Sequence, residues 1–478
     1  MSDDRLPFKK KFLFGLSAIP DQMVYQFFQL FVFTYYFAVV QLGTIPLMIG
    51  FIIWSIWNSI NDPLLGGLSE RTRHRGKLGK RKFYLIITII PLSLMMIFLF
   101  TVPFAASEQI LQYIYFLFII MLFEFFYTLW DVNVNALFPE MFPTESHRAQ
   151  TNVFVKALTV LGIILASLPS LLFTPLVVPK GVTPTPALLN SIKTNYIIGG
   201  TMVAVITILT ALPFLLKGIK EKEEDREIFE KRPSFYQSLK ITIKNRTFLK
   251  FTFTNMLVWY VFNTLILILP LFAEWVLGVS EGYIITISLA SALIVAALLL
   301  PLHKRLGRKL GMRNAFMLTL GIWIILLFLF VLIPLGNVIF GIIVTAVQGI
   351  ALSGALFYVD IIHGDVIDED ALKFGVKRSA SYYGVNAFIH RFSTIFAILT
   401  IGIVFQWTPW SSDYNPLIPP SEIEFPIKMI MSVFPAIGCA LGILILSQFP
   451  LHGEKLIRMH RNNIKISLIL RFLSLHLQ

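Results

Sequence analysis

NDPLLGGLSERTRHRGKLGKRKFY, residues 61–84, closes a long apolar run and opens a dense basic loop. Asp62 stands at the end of that run, and Arg71, Arg73, Arg75, Lys77, Lys80, Arg81 and Lys82 follow it. A carboxylate in a membrane segment costs about 2.5–3.5 kcal/mol at the bilayer centre, so it is read first as a functional group. A run of lysines and arginines beside a span marks the cytoplasmic face. The stretch therefore supplies a candidate site and an orientation together.

The rest of the chain agrees with a membrane reading. Of 478 residues, 56% are hydrophobic and 14% charged, and the mean hydropathy is +0.75. That apolar content exceeds what a soluble chain of this size carries. Taking ~20 apolar residues per span, twelve spans are predicted: 12–39, 44–66, 82–104, 109–137, 151–174, 194–216, 250–276, 281–302, 312–335, 337–362, 380–406 and 426–449. The fold class is an all-α membrane protein. The first apolar run, after Arg5, Lys9, Lys10 and Lys11, is too long for a signal peptide and reads as a span.

Charge placement tests the count. All but five of the 40 Lys and Arg fall in segments that twelve spans put on one side. The exceptions are Lys180, Lys193, Lys428, Lys156 and Arg391. This asymmetry predicts a multi-pass cell-membrane protein with both termini cytoplasmic. The net charge of +13 is then a matter of topology and of contact with anionic lipid, and nucleic acid is not an expected partner. The single cysteine, Cys439, excludes a disulfide framework.

The mixed-charge stretch 217–250 divides the chain into a six-span bundle at 1–216 and another at 251–450, with a cytoplasmic tail at 451–478. Within the linker, Ser234 and Gln237 have the spacing of a capping box. A basic, Gly-containing loop follows the second span, and another, HKRLGRKLGMR at 303–313, follows the eighth. Parallel six-helix repeats of this kind are the layout of the major facilitator fold.

Polar residues within apolar spans are the candidate chemistry. Asp21 lies about ten residues into the first span, ~15 Å deep. Asn58, Asn61 and Asp62 share the second span, and Asn58 and Asp62 share a face. Glu124, Thr128 and Asp131 form a polar stripe on the fourth. Lys156, Asp360, His363, His390 and Arg391 lie in or at the ends of later spans. Carboxylates and amides are hard oxygen ligands, suited to Na⁺ or a titrating proton, and carboxylates also accept hydrogen bonds from sugar hydroxyls. Glu124 with Lys156, and Asp360 with His363, also read as structural ion pairs, and His363 as an interfacial residue. No phosphate loop, nucleotide fingerprint or nucleophilic triad occurs, so no enzyme and no cofactor is expected.

These residues resemble a known family. Asp62-Pro63-x-x-Gly66, Glu70-Arg71-Thr72 and Gly79-Lys80-Arg81 look like the signature of the glycoside–pentoside–hexuronide:cation symporters, the melibiose-carrier group of the major facilitator superfamily. Asp131 with Ala136-Leu137-Phe138-Pro139-Glu140, Asp365-x-x-Asp368, and His452-Gly453-Glu454 through Arg458 extend the likeness along the chain. The resemblance implies a cation site at Asn58, Asn61, Asp62, Thr128 and Asp131, with Asp62 and Asp131 as the Na⁺ ligands. It implies substrate binding at Asp21 and Asp131, with Arg391 in the place of a lysine; Lys156 is the further candidate there. Three positions depart from the pattern. Asn58 replaces a carboxylate, Asn135 a tryptophan, and Phe83 a proline.

The expected function is cation-coupled symport, by Na⁺ or H⁺, of a sugar, glycoside or related polar solute by a monomer in contact with membrane lipids. The alternatives are a lysolipid carrier of the same fold, an uncoupled facilitator, and a non-transporting sensor or scaffold. A polar-lined cavity favours sugar, and an apolar-walled one favours lipid.

Overall fold

The computed structural model describes residues 6–71, 79–105, 107–142, 145–179, 182–221, 240, 242–279, 283–374, 379–407 and 422–459. Arg73, Arg75 and Lys77 of the basic loop, most of the linker with its capping box, and the end of the tail lie outside them.

Helices α1 (Phe8–Gly15) and α2 (Ala18–Thr34) form the first span, and α3 (Thr44–Arg71), α4 (Arg81–Phe98), α5 (Gln109–Met141), α6 (Glu145–Leu172) and α7 (Pro186–Pro213) the next five. The second half holds α8 (Arg246–Trp275), α9 (Tyr283–Leu310), α10 (Met312–Phe328) and α11 (Val338–Phe374). Its eleventh span is α12 (Ser379–His390) with α13 (Phe392–Gln406), and its twelfth is α14 (Glu424–Met431) with α15 (Val433–Ser447). Ten of the twelve spans are long and apolar enough to cross a membrane as they stand. The other two are the first, interrupted at Leu16–Ser17, and α10, which has 17 residues and continues in turns.

Local chemistry sets the ends. The Asn245 side chain accepts from the N–H groups of Thr247 and Phe248, at 3.0 and 3.2 Å, and so caps α8. Thr185 caps α7 through the N–H of Leu188, and Pro186 occupies the first turn. The predicted loop 363–379 is a correction: α11 runs on to Phe374. Helix-forming residues carry it past the membrane, and Glu369 pairs with Lys373 one turn on and with Lys455 of the tail.

Within each half the helices pack closely where side chains are small. A Cβ on Gly200 of α7 would lie 2.1 Å from the Met96 carbonyl oxygen of α4, and one on Gly349 of α11 would lie 2.2 Å from that of Ala292 in α9. Lipid offers no hydrophobic drive between helices, so such backbone contact is a main source of cohesion. The halves meet through α2 with α8, α6 with α9, and α3 with α13. Phe37 stacks on Phe405 at 5.2 Å, and Ser170 lies 3.4 Å from Thr286, whose hydroxyl donates to the Ser167 carbonyl. These contacts gather at the end of the bundle opposite the two chain termini.

Candidate functional site

The polar residues of α2, α3 and α5 converge beside Arg391. This arginine sits at the break between α12 and α13, where its carbonyl accepts from the Ser55 hydroxyl of α3. Its guanidinium reaches Asp62 at 2.6 Å and Glu124 at 3.6 Å, and donates to the Asn58 carbonyl at 3.4 Å. One cation of the second half is thus held by two carboxylates of the first. The Glu124 side chain is 0% exposed, and those of Arg391 and Asp62 are 13% and 26% exposed. The Thr128 hydroxyl donates to Glu124 at 3.2 Å, and the Asn61 amide to the Glu124 main-chain carbonyl.

Four oxygens of this group are buried without a hydrogen-bond partner: Asn58 Oδ1, Asn61 Oδ1, Asp62 Oδ1 and Glu124 Oε2. Unsatisfied buried acceptors are costly. Two carboxylate and two amide oxygens are a hard donor set, and Na⁺ as cargo would satisfy them. Among the described residues no group of three His, Cys, Asp or Glu is placed to hold a metal.

Asp21 and Asp131 make a second subsite. Gln22 donates to Asp21 at 2.8 Å and Asn135 to Asp131 at 2.7 Å. The two carboxyls are neighbours, and Asp21 Oδ1 is buried without a hydrogen-bond partner. Tyr127 stacks on Tyr25 at 4.9 Å. Like charges so close repel, and a proton, a cation or donating hydroxyls between them would relieve the repulsion. Asn135, four residues after Asp131, is the partner that orients it.

The structure thus brings together Asn58, Asn61, Asp62, Thr128 and Arg391, and sets Asp21 and Asp131 beside one another. It corrects the remaining pairings. Glu124 is joined to Arg391, not to Lys156, which lies exposed on α6 and makes no ion pair among the described residues. Asp360 is exposed, whereas His363 is buried against Phe251 at 4.7 Å, so it is a packing residue and not an interfacial one. The polar set of α8 went unread in the sequence: Asn255 donates to Asn386 of α12, and Asn263 to Ser393 and Thr394 of α13. Their only sequence signal is an asparagine recurring every eight residues in an apolar helix.

Residues 13–453 match the protein family described as MFS/sugar transport protein. The chain belongs to that family. It is an MFS secondary transporter, a multi-pass membrane protein and not an enzyme. Among curated relatives, the sodium-dependent lysophosphatidylcholine symporter 1 of Gallus gallus is 23% identical, covering 95% of this chain and 88% of its own. The putative 2,3-dihydroxypropane-1-sulfonate exporter of Escherichia coli is 21% identical over 95% of this chain and 94% of its own. Among solved structures, the nucleoside transporter NupG superposes with a TM-score of 0.62 at 13% identity, covering 92% of this MFS chain and all of the other. A bacterial homologue of the lysosomal transporter Spinster, inward-facing and unoccupied, gives 0.56 at 14% identity over 92% and 93%. The two structures share the fold.

Proposed function

We propose that this transporter is a cation-coupled symporter that moves an amphiphilic solute of the lysophospholipid type by alternating access. The observation that carries the coupling is the Asp62–Arg391–Glu124 group, which joins the halves through charge. Asp62 holds Arg391 through one oxygen and leaves the other without a partner. A cation settling among Asn58, Asn61, Asp62 and Glu124 would draw Asp62 from the guanidinium. Arg391 would then be available to the anionic part of a substrate. One charge crossing ~100 mV supplies ~2.3 kcal/mol, or about a fiftyfold gradient. The sodium-dependent lysophosphatidylcholine symporters among the relatives support Na⁺ as the coupling ion and a lysolipid as the cargo.

The two sides of the path support an amphiphile. The first half offers the carboxylates and Arg391's partners. The second offers Trp259, Phe262 and Leu265, which recur along one partly exposed stripe of α8. A second reading, symport of a sugar or glycoside as in the melibiose-carrier group, is favoured by Asp21 and Asp131, whose facing carboxyls suit substrate hydroxyls. On either reading we place the chain in the cell membrane, acting as a monomer with both termini cytoplasmic, from the lysine and arginine asymmetry.

The experiment is uptake into proteoliposomes of labelled lysophosphatidylcholine and of a glycoside panel, with Na⁺ or H⁺ gradients imposed in turn. Uptake of the lysolipid rising steeply with external Na⁺ is expected. Uptake of glycosides alone would reverse the choice of cargo, and a response to pH alone would make a proton the coupling ion.

A further inference from the structure

Three lysines gather at the seam between α1 and the end of α7, at the end of the bundle that carries the chain termini. After α7 the chain makes a π-helical turn, Phe214–Gly218. A Cβ on Gly218 would lie 3.2 Å from the Leu13 carbonyl oxygen of α1, so the missing side chain lets the two segments meet. Lys217 flanks that glycine, Lys220 lies two residues beyond it, and Lys9 stands one helical turn before Leu13. All three are exposed and make no ion pair among the described residues.

Their neighbours are otherwise engaged. The ammonium groups of Lys10 and Lys11 lie over the Phe142 and Phe154 rings, at 5.3 and 5.6 Å, whereas Lys9 lies over no ring among the described residues. Glu221, next to Lys220, accepts from the main-chain N–H groups of Lys80, Arg81 and Lys82 at 2.8, 3.2 and 2.6 Å, and so caps α4. Those bonds anchor the segment that carries Lys217 and Lys220, and they turn this acid to a helix end instead of to the lysines. On the membrane side of the lysines, Leu212 and Leu216 are 41% and 70% exposed, and Phe12 of α1 is exposed too. An apolar patch rimmed by unpaired cations is complementary to a lipid that carries both an acyl chain and negative charge.

We propose that this seam binds one bilayer phospholipid of net negative charge, its phosphate among Lys9, Lys217 and Lys220 and an acyl chain along Leu212 and Leu216. The site lies within the first half, since α7 packs on α2, α4 and α6. The inference therefore does not rest on the identity of the cargo. Two features separate the seam from a general attraction of basic loops to anionic lipid. Its cations come from two segments that Gly218 and Glu221 hold in place, and its apolar side adjoins the lysines directly. Each lysine near a membrane surface strengthens binding of anionic lipid about fivefold.

Native mass spectrometry of the full chain, released from detergent, tests this with phosphatidylglycerol and phosphatidylcholine of identical acyl chains. Wild type should keep one phosphatidylglycerol at concentrations where it keeps no phosphatidylcholine. The triple variant Lys9→Gln/Lys217→Gln/Lys220→Gln should bind phosphatidylglycerol about a hundredfold more weakly. Lys304→Gln/Arg308→Gln/Lys309→Gln takes the same charge from exposed residues of α9 in the second half, and it should keep the lipid. Equal weakening in the two triple variants would mean diffuse attraction by net charge and would overturn the site. Equal retention of both lipids by wild type, or unchanged binding by the seam variant, would overturn it as well. Displacement of the lipid by glycerol 3-phosphate at the lipid's own concentration would make the lysines a site for a soluble anion and sink the proposal. If the seam variant does not fold, Lys217→Gln decides the question: a loss of about fivefold is expected, and no loss overturns the site.

Discussion

Asn58 stands where the family resemblance expects a carboxylate, and on the proposed reading the strength of coupling depends on that residue. Two unit charges 4 Å apart interact by about 4 kcal/mol near a protein surface, so an added carboxylate has ample reach. Asn58→Asp should tighten the apparent Na⁺ affinity of uptake by about tenfold, or ~1.4 kcal/mol. Asp62→Asn should remove the Na⁺ stimulation, because it removes the carboxylate shared by the ion and Arg391. Ion-replacement kinetics in proteoliposomes check both, and an unchanged Na⁺ response in D62N would sink the site. Arg391 tests the other side of the group. Arg391→Ala strands Asp62 and Glu124 without their cation, a loss of about 3–5 kcal/mol, and should lower the melting temperature of the detergent-solubilised protein clearly more than Arg391→Lys. These oxygens were legible in the sequence, because a polar residue in an apolar run stands out. Their partner was not. Glu124 and Arg391 lie in different halves, and helical periodicity orders the residues of one face without saying which distant helix that face meets. Lys156 was the nearer cation along the chain, and its exposure on α6 shows how little that nearness carries.

Broken helices do much of the positioning, and the sequence announces only some of the breaks. The interruption at Leu16–Ser17 lies between Gly15 and Pro20, and the one at Ser432 precedes Pro435. The break at Arg391 has neither residue beside it. There the Ser55 hydroxyl of α3 takes hold of the Arg391 carbonyl, and Thr394 donates to the same oxygen from only three residues ahead. A contact between halves thus shapes the element that carries the charge, and no single helix's propensity records it. Glycine contacts act at the same scale. Gly200→Val places side-chain atoms against the Met96 carbonyl, where overpacking costs about 1–3 kcal/mol. The variant should show a lower melting temperature and less monodisperse protein in size-exclusion chromatography. Gly321→Ala, with nothing within 4 Å of the added Cβ, should leave both unchanged. Equal behaviour of the two would mean that α4 and α7 do not depend on backbone contact.

Across the whole molecule, the two halves are held together at the end away from the termini and share the charged group near the middle. Twelve spans followed from hydropathy, because the bilayer constrains every span alike. The conformation the halves adopt did not, since one sequence must support both arrangements of an alternating carrier. The closed end consists of pairs such as Phe37 with Phe405 and Ser170 with Thr286. If the halves rock about the central group, these pairs must separate once in each cycle. A Ser170→Cys/Thr286→Cys double variant tests that. The two hydroxyls lie 3.4 Å apart, so the thiols that replace them are within bonding reach. Cys439, the native thiol, is buried in α15 and offers no competing partner nearby. Oxidation should stop uptake almost completely, and dithiothreitol should restore it, while either single variant keeps its transport under the same oxidant. Mass spectrometry of the cross-linked peptide would establish that the bond had formed. Undiminished uptake by protein shown to carry it would mean that α6 and α9 stay together throughout the cycle, and the path would have to open elsewhere.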